Sequence, residues 1–242
     1  MREPFDSNAY YHVYNRGVDK RVIFFGEEDF RRFYESMYLF SDRRYVHAGG
    51  WSIEKDMLLS GAEVYALDRE PLVSVIAYCL KSNHFHLLMR QHVPDGISRF
   101  LHRLGMGYAN YFNLKYERSG RLWEGPFKAK PVDTLEHLQL LPRYIHLNAL
   151  DGTDTRWRDS DGETDWVRAT EVLRAYPWSS HHLYAGRAQR FPLLDESVIR
   201  AWFPTAADYE AYLCLPRAYG QEELTFTRLY TGSKSRLEHR KH

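Results

Sequence analysis

Two periodicities organise the chain. Residues 10–15, Tyr-Tyr-His-Val-Tyr-Asn, are β-formers, and the polar stretch 16–20 that follows contains Gly17, so a first strand and a loop are expected. Between residues 27 and 40 the apolar positions Phe30, Phe33, Tyr34, Met37 and Tyr38 recur at three- and four-residue steps, behind opening acids that suit a helix N-terminus. That spacing predicts a helix. An apolar run at 73–80, a polar break at Lys81-Ser82-Asn83 and a second apolar run at 84–89 read as a hairpin of two buried strands. Ile97, Phe100, Leu101, Leu104, Tyr108, Tyr111 and Phe112 then keep helical period, predicting a second long helix that ends before Ser119-Gly120. A third helix is expected over 134–147, where Leu135, Leu138, Leu141 and Ile145 share a face and Pro142 should bend it. Residues 41–70 have weak periodicity and read as a strand with a long irregular insertion. The acidic, glycine-containing segment 151–164 reads as a loop, and short helices are expected beyond Pro177.

The order strand, helix, strand, strand, helix over residues 10–117 is that of a ferredoxin-like α+β sandwich. A central antiparallel sheet would carry the His84-Phe85-His86 strand, with helices on one face and a helical extension at the C-terminal end. Residues 1–186 are expected to form the catalytic domain, with insertions near 45–70 and 151–164. Residues 187–242 would form the extension and a basic tail from Arg228. The arrangement serves many functions and selects none.

Composition narrows the classes only a little. The 242 residues are 44% hydrophobic and 27% charged, with a net charge of +1, so a packed core is available and no partner is named by global charge. No apolar run suits a membrane span or signal peptide, which places the chain in the cytoplasm with no membrane partner. Cys79 and Cys214 form no metal-type pair. Aromatics reach 15%, which suits a core and a base-stacking surface equally.

His84 and His86 lie two apart in a strand and so project to one face, while Phe85 points into the other layer. Paired imidazoles can hold one divalent ion and leave positions open for water or phosphate oxygens; such a pair is also often just a surface feature. Tyr144 and Asn148 fall four apart on the third helix, where a phenol and an amide would share a face, although such a tyrosine can equally be core. Between residues 99 and 130, Arg99, Arg103, Lys115, Arg118, Arg121, Lys128 and Lys130 face only Glu117 and Glu124, with aromatics interleaved. Cations that track phosphates beside rings that stack bases suit a single-strand or hairpin binder. Phe100, Tyr111 and Phe112 belong to the helix's apolar stripe, so Arg103, Lys115, Arg121, Trp123 and Lys128 are the better contact candidates, together with Asn15 and Arg16 at the first strand's end.

Several ordered blocks resemble the HUH single-strand transposases, most closely the REP-associated tyrosine transposases. They are Tyr11-His12-Val13-Tyr14-Asn15-Arg16-Gly17, Ser82-Asn83-His84-Phe85-His86-Leu87-Leu88, Tyr111-Phe112-Asn113 with Gly120-Arg121-Leu122-Trp123-Glu124-Gly125, Arg143-Tyr144-Ile145-His146-Leu147-Asn148, and Tyr176-Pro177-Trp178-Ser179-Ser180. The resemblance implies that His84, His86 and Asn148 ligate a divalent metal, Mg²⁺ or Mn²⁺, and that Tyr144 is the nucleophile. It further implies a single-stranded or hairpin DNA substrate cleaved through a 5′-phosphotyrosine, by a monomer or homodimer. The chain departs from the family pattern at Pro126, Pro142 and Ala149. Those departures keep open a hairpin-binding protein that no longer cuts. A phosphodiesterase that activates water, needing the histidines but not the tyrosine, is a third possibility.

Overall fold

The computed structural model describes residues 5–43, 69–155, 157, 164–189 and 191–215. The expectations for most of 41–70, for much of 151–164 and for the tail from Arg228 lie outside the described residues.

Four strands form one antiparallel sheet, β1 (Tyr10–Arg16), β2 (Val73–Lys81), β3 (His84–Gln91) and β4 (Lys128–Pro131), in the order β2-β3-β1-β4. The expected hairpin is β2–β3, turned by Ser82 and Asn83. β4 is a strand that the sequence pattern did not announce. It is a short edge whose Pro131 falls at the end, where a missing N–H costs no ladder bond. At the other edge, β2 is covered: Leu80 N–H donates to the Trp178 carbonyl, and the Tyr78 and Val75 carbonyls accept from the Ser180 and Asp195 N–H groups. Edge groups that would otherwise invite another strand are thereby satisfied.

The long helices are α1 (Glu27–Phe40), α2 (Gly96–Lys115) and α3 (Leu135–Leu147), followed by α4 (Trp166–Ala175), the one-turn α5 (His181–Tyr184) and α6 (Ser197–Arg200), and α7 (Ala206–Leu213). α1 begins where expected because Asp29 reaches back to the N–H groups of Phe25 and Gly26. This carboxylate is fully buried. Burial pushes its pKa up, but hydrogen bonds from Lys115, Tyr116, the Phe25 N–H and Tyr111 outweigh that and hold it below the usual carboxylate range. The same cluster ties the end of α2 to the start of α1.

Alternation along the strands sends Phe85 to one face, where it meets Phe33 of α1 (ring centroids 5.1 Å apart) and Trp123 (5.7 Å). α1 and α2 thus form the expected sandwich on one face. α3 packs on the opposite face, where the rings of His86 and His12 meet Tyr144. Thr134 caps α3 by accepting from the His137 N–H, and the helix runs through Pro142 without a break. No helix among the described residues is long and apolar enough to cross a membrane.

Candidate active site

The face of the sheet under α3 is set by register. Tyr14 pairs with His86, His12 with Leu88, Lys128 with Tyr14 and Lys130 with His12. Directly opposed residues in an antiparallel pair share a face. His12, Tyr14, His84, His86, Lys128 and Lys130 therefore all project toward the α3 side. Tyr144 closes the group edge-on, its ring centroid 5.7 Å from His86 and 6.0 Å from His12 at interplanar angles of 86° and 78°.

The two histidines of β3 each have Nδ1 engaged from within the protein. Asn83 donates through Nδ2 to the Lys20 carbonyl, which fixes its amide so that Oδ1 faces His84 Nδ1 at 2.6 Å. A carboxamide oxygen only accepts, so His84 Nδ1 is the donor, and in the neutral ring this leaves the lone pair on Nε2. His86 Nδ1 lies 2.9 Å from His12 Nε2. Burial first, and then His137 and Lys130, push His12 down to a pKa of about 3, so it is neutral at physiological pH. Burial first, and then Tyr144, push the Tyr14 phenol above its ordinary value. The Lys128 ammonium stands over the Tyr14 ring, 5.9 Å from its centroid.

Asn148 is buried at the C-terminal end of α3 and donates through Nδ2 to the Tyr144 carbonyl (2.6 Å). Its link to the site runs through the Tyr144 backbone. No group of three or more His, Cys, Asp or Glu side chains that could hold a metal occurs among the described residues. Two imidazoles on one sheet face, His84 and His86, are donors of the kind that can hold a divalent ion with positions left open.

α3 itself is held from its far side. His146, fully buried, contacts Tyr209 of α7 through Nδ1 and Ser180 through Nε2, both at 2.6 Å. Arg143 donates to the carbonyls of Leu213 and Leu215. The residues flanking Tyr144 are thus clamped to the C-terminal extension and to the strip that covers β2.

Most of the sequence-nominated DNA contacts are engaged within the protein. Arg16 forms a two-pronged ion pair with Glu124. Asn15 donates to the Gly125 carbonyl, Arg103 to the Asp42 carbonyl and Trp123 to the Gly105 carbonyl. Lys115 is held by Asp29, Glu28 and Tyr111. Arg121 and Lys128 are exposed. His12, Tyr14 and Lys130 are at the site although residue patterns did not single them out. The signal was present for the first two, at alternate positions of the β1 block.

Residues 64–148 match the family model described as Transposase IS200 like. Over this segment, about a third of the chain, the sequence is similar to IS200-like transposases. The IS200-like segment contains His84, His86, Tyr144 and Asn148 and ends on the last of them; β1, with His12, precedes it. No curated protein matches the sequence. Among solved structures the chain is similar to a REP-associated tyrosine transposase bound to a REP hairpin, at 11% identity and a TM-score of 0.46, over 80% of this chain and 88% of that one.

Proposed function

We propose that the protein is a metal-dependent single-stranded DNA endonuclease and strand transferase that cuts beside a hairpin or repeat element through Tyr144. The observation that carries this reading is the meeting of the Tyr144 ring with His86, on the face that His84 shares. The similarity of residues 64–148 to IS200-like transposases supports it.

His84 and His86 would hold Mg²⁺ or Mn²⁺ through Nε2, and Asn148 would add a carboxamide from the end of α3. The bound ion would supply Lewis-acid polarisation of the scissile phosphate and offset its developing charge. Tyr144 Oη attacks phosphorus in line, forming a Tyr–O–P bond as the P–O3′ bond breaks. The phenol proton passes to solvent, and the departing oxygen gains one to become a 3′-OH. One phosphoester replaces another, so a second 3′-OH can reverse the step and join new ends without ATP. Clamping of α3 by His146 and Arg143 keeps the phenol at a fixed height above the sheet, which is the positional control an in-line attack needs. Lys128 and Lys130, along the sheet edge, would take the phosphates of the incoming strand.

The test is a labelled single-stranded oligonucleotide carrying a hairpin, incubated with protein and Mn²⁺ and run on a denaturing gel. A protein-linked band that disappears in Tyr144→Phe and with chelator is expected. A mobility shift on a native gel without any linked band would instead mark a hairpin binder that does not cut, and cleavage surviving in Tyr144→Phe would mark hydrolysis by activated water.

A further inference from the structure

We infer that His12 is a positioning residue that fixes the tautomer of His86, accepting the His86 Nδ1 proton at its own Nε2 so that His86 offers the Nε2 lone pair to a divalent cation. This rests on the metal-ligand reading of His84 and His86, and assigns a task to a residue outside the family-matched segment.

Two observations converge on it. The nitrogens are 2.9 Å apart, and both rings are buried, His12 completely. The contact runs diagonally across the β1–β3 ladder, because His86 pairs directly with Tyr14 while His12 pairs with Leu88. It is therefore set by strand register and not by mobile side chains. A neutral imidazole has one donating and one accepting nitrogen, so a bond between two such rings runs in one direction only.

Only the direction of the bond is then at issue. If His12 Nε2 carried the proton, neutral His86 would be protonated on Nε2 and its metal-facing nitrogen would be blocked. With the proton on His86 Nδ1, His86 matches His84, whose Nδ1 proton is held by Asn83. The two ligands would then be oriented by the same device, an acceptor behind Nδ1, supplied once by an amide and once by a histidine. Acceptors of this kind fix ring orientation and raise ligand basicity, and losing one typically weakens metal binding about 10- to 100-fold.

The test has two arms. In the metal-free protein, ¹⁵N-edited NMR of the histidine rings should show His86 protonated at Nδ1 and His12 unprotonated at Nε2; the reverse pattern overturns the inference. In calorimetric titrations with Mn²⁺, His12→Phe, which keeps a ring but no acceptor, should bind about 10- to 100-fold more weakly than wild type. His12→Gln, which restores an acceptor, should recover part of that loss. Thermal melts in chelator establish that each variant is folded, and if neither folds the NMR arm on wild type still decides. Wild-type binding that is lost in His84→Ala but unchanged in His12→Phe removes this inference and leaves the metal site standing. If wild type binds no Mn²⁺, the metal reading falls and takes this inference with it.

Discussion

The two faces of the sheet are made by alternate residues of the same strands, yet they carry different chemistry. On the α1–α2 side, Phe85 sits among Phe33 and Trp123, and Phe33 in turn meets Phe24 and Tyr108. That is an aromatic core with little chemistry. On the α3 side, one residue along, His84 and His86 face Tyr144, His12 and Tyr14, and the Nδ1 atoms of His84 and His86 each meet a specific hydrogen-bond partner. The helix above this face buries Leu141 and Ile145 in the core and is also tied to the extension through His146 and Arg143. Both sides of β3 are packed by buried apolar residues, and the clustered imidazoles and phenols lie on one.

Substitutions on the two faces should separate stability from chemistry. The largest effect is expected for Tyr144→Phe: linked product should fall by at least about 10³-fold, the scale seen when a nucleophile is removed, while the melting temperature stays near that of wild type. Next, Phe33→Ala or Phe85→Ala should cost about 3–5 kcal/mol of stability through a cavity in the aromatic core. Measured below its melting temperature, the surviving folded protein should still form the adduct. A loss of adduct without a loss of stability in either variant would break the division of the faces.

The buried histidines give a smaller, pH-dependent effect. Burial first, and then His181 and His182, hold His146 well below its ordinary pKa. His181 is held at about 4, chiefly by burial. The unfolded chain takes up these protons near pH 6.5 and the folded chain does not, so stability is complete above that pH and falls as the pH drops below it. For His181 the fall continues to about pH 4, at about 1.4 kcal/mol per pH unit. Denaturant melts from pH 7.5 to 4.5 check this, and His146→Gln should flatten the slope. Smallest is the double variant Lys128→Ala/Lys130→Ala, which should weaken DNA binding across sequences and lower the salt slope by about 2. Lys115→Ala, by contrast, should cost stability by stranding Asp29 and leave the salt slope unchanged.

How much of this was legible in the sequence depended on range. α1 was readable to its ends because its apolar steps and the Asp29 cap are local, and the β2–β3 hairpin because a polar pair interrupts two apolar runs. β4 is only Lys-Ala-Lys-Pro, too short for periodicity, and α4 follows an acidic segment that obscures its start at Asp165. His84 and His86 could be placed on one face from spacing alone, as could Tyr144 and Asn148. That His12 lies against His86 could not, since it depends on the pairing of β1 with β3. Lys115 and Arg103 looked like DNA contacts because the partners that hold them, Asp29 and the Asp42 carbonyl, are more than sixty residues away. Trp123 looked like a stacking platform until the fold placed its ring against Phe85.

Two phenols, Tyr144 and Tyr14, stand beside His86, so the most direct measurement is to find which one carries DNA. The protein would be incubated with a hairpin oligonucleotide and Mn²⁺, digested with nuclease and protease, and its peptides sequenced by tandem mass spectrometry. A 5′-linked nucleotide on Tyr144, absent with chelator, is the predicted result. A nucleotide on Tyr14, or oligonucleotide cleaved with no tyrosine modified, would contradict the account.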